Sequence, residues 1–155
     1  MVAFNSTNYN LAAQKAVHVG NQSVSGSSAI ISGSAVTIND TLQLAKIPHG
    51  ATVVDFFEDH TSSDTANGVD FGFATGVVAG GAGNLSCLIA AGAKATFNRR
   101  SVVTAGFGGQ GIVISVSDLD PNRYAVLTAK FATGTITSNI LINWTCIYRM
   151  DGLPG

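Results

Sequence analysis

Turn-forming residues interrupt this chain roughly every ten positions, which is the spacing of short strands joined by tight connections. Between these turns lie apolar runs rich in β-branched and aromatic residues, such as residues 52–57 (TVVDFF) and 124–131 (YAVLTAKF). Residues 69–73 (VDFGF) alternate between apolar and polar positions, which is the two-residue period of a strand with one buried face. A helical period is almost absent, so the pattern predicts an all-β protein.

About eight principal strands are expected, a number that fits two packed antiparallel sheets. We therefore predict a jelly-roll-like, antiparallel β-sandwich that occupies residues 27–152 as a single domain. Residues 1–26 are richer in Asn, Ser and Gln around a short apolar stretch, and we interpret them as an N-terminal arm. A tight turn is expected at Pro48-His49-Gly50, because proline fixes φ and glycine permits a positive φ.

The chain carries little charge for its length. Charged residues make up 11% of it, against about 25% in typical soluble domains. Hydrophobic residues make up 46%, so a fully exposed surface of this composition would be poorly solvated. Much of the outer surface is therefore expected to be covered by further copies of the chain or by a larger particle.

The same composition argues against two other partner classes. Net charge is −1 and the Lys and Arg residues are scattered, so no basic face exists to neutralise phosphates and no nucleic-acid partner is expected. No apolar run approaches the roughly 18 residues that cross a bilayer, and no membrane partner is expected. The first residues lack a basic region followed by an apolar one, so no secretory signal is expected.

The densest group of ionisable residues consists of Asp55, Glu58, Asp59, His60 and Asp64. Several neighbouring carboxylates suit Ca²⁺ or Mg²⁺, but the alternating acidic positions and central glycine of an EF-hand loop are absent. On a strand, Asp55 and Asp59 share one face and Glu58 lies on the other. The favoured interpretation is an exposed strand end that carries the surface charge missing elsewhere, and no metal or other cofactor is predicted.

No catalytic constellation is recognisable. The three histidines are isolated, and the chain has no Gly-x-Ser-x-Gly nucleophile elbow. Residues 106–111 (GFGGQG) match Gly-x-Gly-x-x-Gly, but a strand-like run follows them, whereas dinucleotide binding needs a helix N-terminus there. Cys87 and Cys146 lie in apolar segments and are interpreted as buried free thiols, and Trp144 is interpreted as a core residue. No enzymatic activity is predicted.

Four turn-rich pieces of the chain form a recognisable series: KIPHGA at 46–51, DPNRY at 120–124, ATGT at 132–135 and YRMDG at 148–152. Over roughly residues 40–152, this series resembles small structural proteins of tailed bacteriophages, of the capsid decoration (cement) type. The resemblance implies a jelly-roll-like fold, a homotrimer, and binding to the major capsid protein on the outer surface of the virion. It implies that the functional residues are interface residues rather than catalytic ones.

The interface residues expected from this resemblance lie in the arm, in the predicted turn and in a glycine-rich loop that permits close backbone approach. They are Phe4, Asn5, Tyr9, Leu11, Pro48, His49, Gly50 and Phe107. An alternative from another class stays open, a carbohydrate-binding or adhesin-type β-sandwich module. That alternative requires an aromatic platform, so Tyr124, Trp144 and Tyr148 would share one open face.

Overall fold

The computed structural model describes residues 3–5, 21–30, 36–62, 68–75, 82–92, 98–101, 112–114, 124–133 and 140–150. Within these ranges the chain forms strands and no helix, so the described part holds no helix long and apolar enough to cross a membrane. The strands are β1 (Ala3–Asn5), β2 (Asn21–Ile30), β3 (Thr41–Pro48), β4 (Ala51–Ser62), β5 (Gly68–Thr75), β6 (Ala82–Gly92), β7 (Asn98–Ser101), β8 (Ile112–Val113), β9 (Tyr124–Thr133) and β10 (Ile140–Met150).

Eight of these strands form a jelly roll. One sheet has the order β2-β10-β4-β7, with β8 paired to β4, and the other has the order β1-β3-β9-β5-β6. Without β1 and β8, the first strand along the chain pairs with the last, the second with the seventh, the third with the sixth and the fourth with the fifth. This nested antiparallel pairing is the double Greek key of a jelly roll, and it confirms the predicted fold.

β1 departs from the antiparallel rule. It pairs with β3 in parallel, with Ala3 opposite Thr41 and Asn5 opposite Gln43. A parallel pair needs a long connection between its strands, and here the chain passes through all of β2 before it reaches β3. The β1 residues therefore extend one sheet at its β3 edge.

β4 is longer than its sequence suggests. The polar run after Asp59 favours a loop, but β4 continues to Ser62 because β10 pairs with it that far, with Ile140 opposite Ser62. The pairing also shifts by one residue at Val54, which lies between the two partners of the Ile147–Tyr148 step. Such a bulge reverses which side chains face inward on either side of it.

Residues 35–38 (AVTI) suggest a strand from their sequence, but residues 37–40 form a tight turn, in which the Asp40 N–H donates to the Thr37 carbonyl at 3.1 Å. The Asp40 carboxylate accepts hydrogen bonds from the Thr37 backbone N–H at 2.9 Å and from its hydroxyl at 3.1 Å. Asn39 has a φ of 74°, a conformation that asparagine tolerates better than most residues. Ile38 at this turn is 51% exposed.

The core lies between the two sheets. Alternate residues of β10 face it, from Ile140 to Tyr148, and all of them are buried. Phe56 of one sheet contacts Phe71 of the other, with ring centroids 5.4 Å apart and planes tilted by 42°. Such tilted aromatic pairs contribute about 0.5–1.5 kcal/mol beyond their area burial.

Candidate assembly surfaces

The acidic group of β4 belongs to the core rather than to the surface. Glu58 and His60 are each 1% exposed and follow Phe56 along the inward face of the strand. The His60 Nδ1 and a Glu58 carboxylate oxygen lie 2.9 Å apart, a buried pair. Asp55 is only 8% exposed, and one of its oxygens accepts a hydrogen bond from the Phe56 backbone N–H at 3.0 Å.

The expectation of an exposed acidic strand end is therefore wrong for Asp55 and Glu58. β10 on one side of β4 and β7 on the other cover this part of the strand, and inward residues meet the opposite sheet. Asp64 lies outside the described residues. In the part of the chain that the structure describes, no three His, Cys, Asp or Glu side chains come together as a metal site.

Two aromatic residues of the suggested sugar platform are buried. Trp144 and Tyr148 both face the core from β10 and are each 2% exposed. Tyr124 begins β9 in the other sheet, where the Lys46 ammonium lies 4.8 Å from its ring centroid. The three rings share no open face, which removes the support for a carbohydrate-binding module and confirms Trp144 as a core residue.

Both cysteines are free, as predicted. Cys146 is fully buried in β10, and Cys87 in β6 is half-buried. Burial raises the pKa of the Cys146 thiol far above its ordinary value, and the negative charges of Asp55 and of the Cys87 thiolate raise this pKa further. Cys146 is therefore a neutral core residue and a poor nucleophile.

The outward side of the β2-β10-β4 sheet, which we call the β10 face, is a candidate assembly surface. Its outward residues include Phe57, Leu141 and Ile147 beside the charged Asp59 and Arg149, and Leu141 is 40% exposed. A depression of about 530 Å³ opens on it, lined by Gly26, Phe57, Glu58, Asp59, Asn143, Trp144 and Thr145. Sequence reasoning missed this surface, although Leu141 and Ile147, which lie between the core-facing positions of the run ILINWTCIY, are its signal.

The predicted turn at Pro48-His49-Gly50 is confirmed. β3 ends at Pro48 in one sheet and β4 starts at Ala51 in the other, so this corner carries the chain across the sandwich. Gly50 has a φ of 83°, which favours glycine, and its N–H donates to the Ile114 carbonyl at 2.9 Å. His49 is half-buried, and whether this corner contacts a partner stays a prediction.

The expected arm residues are only partly described. Phe4 and Asn5 lie in β1, opposite Leu42 and Gln43 at the β3 edge. Tyr9, Leu11 and Phe107 lie outside the described residues. The structure thus places two of the arm residues at the β3 edge and the corner at the opposite end of β3, and whether they contact a partner stays a prediction.

Comparisons with known proteins identify the fold. No family model and no curated protein matches the chain. Among solved structures, a chain in the capsid of Ralstonia phage GP4 is similar with a TM-score of 0.65 at 15% identity, over 97% of this chain and 99% of that one. A chain in the capsid asymmetric unit of cyanophage Pam1 is similar with a TM-score of 0.57 at 17% identity, over the same shares. At such identities the likeness establishes a common fold.

Proposed function

We propose that this chain is a non-enzymatic structural protein of a phage virion, located at the capsid surface. The observation that carries the proposal is the likeness over nearly the whole length of both chains to a chain of the Ralstonia phage GP4 capsid. The low charge content, 11%, independently favours a protein whose surface is covered in an assembly.

The finer proposal is a decoration (cement) protein that binds the major capsid protein as a homotrimer. A cement protein stabilises a shell by burying surface across the seams between neighbouring capsid subunits. Stable contacts of this kind bury about 1,200–2,000 Å² each, and permanent ones bury more. A jelly roll with 11% charged residues suits such a role, because apolar and uncharged contacts need no compensation for buried charge.

The first test is the native mass of the purified protein by light scattering, with and without EDTA. We expect a species of three times the 15.8 kDa chain mass that is indifferent to EDTA. Leu141→Asp on the β10 face should lower the fraction of trimer, because it adds a charge to an apolar contact. Ser86→Asp, at an exposed position of the edge strand β6, is the matched control and should leave the mass unchanged.

The second test is attachment to particles. Shells made without this protein should bind it on incubation, co-sediment with it and withstand higher temperature afterwards. Deletion of residues 1–10 should weaken this attachment while the protein keeps its own thermal unfolding transition. A stable trimer that never binds shells would overturn the decoration role, and a monomer that binds soluble glycans would restore the carbohydrate-binding alternative.

A further inference from the structure

The first three residues of β3 form an edge segment that accepts a strand. β9 covers the inner side of β3 over its whole length, from Thr41 opposite Lys130 to Pro48 opposite Tyr124. Exposed edge strands usually carry lysine, proline or a bulge that blocks pairing with other chains. In β3 the register with β9 shifts at Leu44, and Lys46 and Pro48 follow, so all three features come after the Thr41–Gln43 segment. That segment is the part of β3 with which β1 pairs.

β1 itself is a small and separable element. It consists of three residues, Ala3–Asn5, and pairs with β3 alone among the described strands. Neither β1 nor the Thr41–Gln43 segment contains a charged side chain. No charge interaction between the two segments therefore favours pairing within one copy over pairing between two copies. The same backbone partners would pair within one copy and between two copies. Exchange of the strand therefore changes the free energy little.

The connection to the rest of the domain is long enough for exchange. Residues 6–20 separate β1 from β2, and an extended chain of that length reaches roughly 50 Å. A domain of this size has a radius of gyration of about 15 Å, so the connection can exceed the distance to the facing edge of a neighbouring copy. Because the net charge is −1, electrostatic repulsion between two copies is weak.

We propose that, in the self-associated protein, β1 of each copy pairs with β3 of a neighbouring copy in the same parallel register. The inference rests on the self-association within the proposed function and adds the element that joins the copies. β1 then joins two copies by β-augmentation, in which it adds a strand to the sheet of its neighbour. Main-chain hydrogen bonds give the affinity, and the register that sets Ala3 opposite Thr41 gives the specificity. A ring of three copies closes when each copy donates one strand and accepts one.

The test is a disulfide trap at the register. Asn5 and Gln43 are partners across the pair, so the double variant Asn5→Cys with Gln43→Cys should oxidise where the strands meet. With exchange, non-reducing electrophoresis should move most of the protein to two or three times the mass of one chain, and reduction should return it to a single chain. The single variants Asn5→Cys and Gln43→Cys report any contribution from the native thiols and should run at the mass of one chain on non-reducing denaturing electrophoresis.

The matched control is a pair that one chain must satisfy by itself. Asp70 of β5 and Lys130 of β9 are partners inside one sheet, so Asp70→Cys with Lys130→Cys should oxidise within the chain and keep the monomer mass. If the Asn5/Gln43 pair also gives only the monomer mass, with or without a disulfide, strand exchange is wrong.

Failure of the exchange is separable from failure of the decoration role. Interchain disulfides in a protein that does not bind shells would retain the exchange and overturn the decoration role. Binding to shells by a protein that forms only intrachain disulfides would retain the decoration role and overturn the exchange.

Discussion

The buried pair of Glu58 and His60 is the costliest arrangement in this core at the scale of single residues. Both side chains are 1% exposed, so neither is solvated, and the His60 Nδ1 lies 2.9 Å from a Glu58 carboxyl oxygen. In the described part of the chain, the second ring nitrogen of His60 has no hydrogen-bond partner, nor does the indole nitrogen of Trp144. The Glu58–His60 pair adds little net stability, but a wrong register would separate its two polar groups inside the core, so the pair disfavours alternative packings.

Removing one partner of that pair should be far more harmful than removing both. His60→Leu removes the group that lies 2.9 Å from the buried Glu58 side chain, and we expect a loss of about 3–5 kcal/mol in the free energy of unfolding. The double variant Glu58→Met with His60→Leu should recover most of that loss, because an apolar pair of similar volume replaces the buried polar pair. Urea denaturation of the four proteins in this double-mutant cycle measures it. If His60→Leu and the double variant lose equal free energy of unfolding, Glu58 and His60 are not coupled as a buried pair.

The Cys146 thiol should make the protein less stable in alkaline solution. Burial raises its pKa in the folded state, so above the ordinary thiol pKa of about 8.5 only the unfolded chain releases this proton. The contribution of this thiol to the free energy of unfolding is therefore fully present below that pH. It falls as pH rises, by up to about 1.4 kcal/mol per pH unit. Burial also raises the pKa of Tyr148, whose ordinary value is higher, so the thiol is best isolated between pH 8.5 and 10.

Urea denaturation across that pH window measures the slope. Cys146→Ala should reduce it, even though the smaller side chain lowers the overall stability. Cys87→Ala, at a half-buried position, is the control and should keep most of the slope. An unchanged slope in Cys146→Ala would show that another group is responsible.

Elements differ in how much of the fold depends on them, and β10 matters most in its sheet. It lies between β2 and β4 and is hydrogen-bonded on both sides, whereas β6 pairs with β5 at the edge of the other sheet. Thr145→Pro removes a ladder hydrogen bond in the centre of the sheet, and we expect a loss of more than about 3 kcal/mol or a failure to fold. Circular dichroism with urea denaturation measures the loss.

Ser86→Pro is the matched control for that substitution. Ser86 is exposed on the edge strand β6, where proline is better tolerated, so the loss should be clearly smaller. A larger loss for Ser86→Pro than for Thr145→Pro would mean that the sheet order is wrong.

Sequence patterns predicted the elements better than the directions of their side chains. Turns and alternating runs located most strands, because proline, glycine and period-two alternation act locally. The inward direction of Glu58 was not predictable, since both faces of the run TVVDFF carry apolar residues and the bulge at Val54 changes the parity. The parallel pairing of β1 was equally hidden, because three residues are too few to show a period.

At the scale of the whole molecule, the nested strand order sets the expected folding behaviour. Asn21 of β2 pairs with Arg149 of β10, near the two ends of the described chain. Such pairings require the closure of long loops before they give any stabilisation, and folds of this type fold in milliseconds to seconds. Of the paired strands in the described part, only β5 and β6 are neighbours in sequence.

The β5–β6 hairpin should therefore form early, and the β2–β10–β4 layer should close late. Leu88→Ala in β6 and Ile142→Ala in β10 each remove a fully buried side chain, at an expected cost of about 2–5 kcal/mol. We expect Leu88→Ala to slow folding and Ile142→Ala mainly to speed unfolding, because only the first contact exists in the transition state. Stopped-flow chevron plots at concentrations too low for self-association measure both limbs. If Ile142→Ala instead slows folding more than Leu88→Ala does, closure of the long-range layer would precede the hairpin, and chain connectivity would not determine the order of assembly.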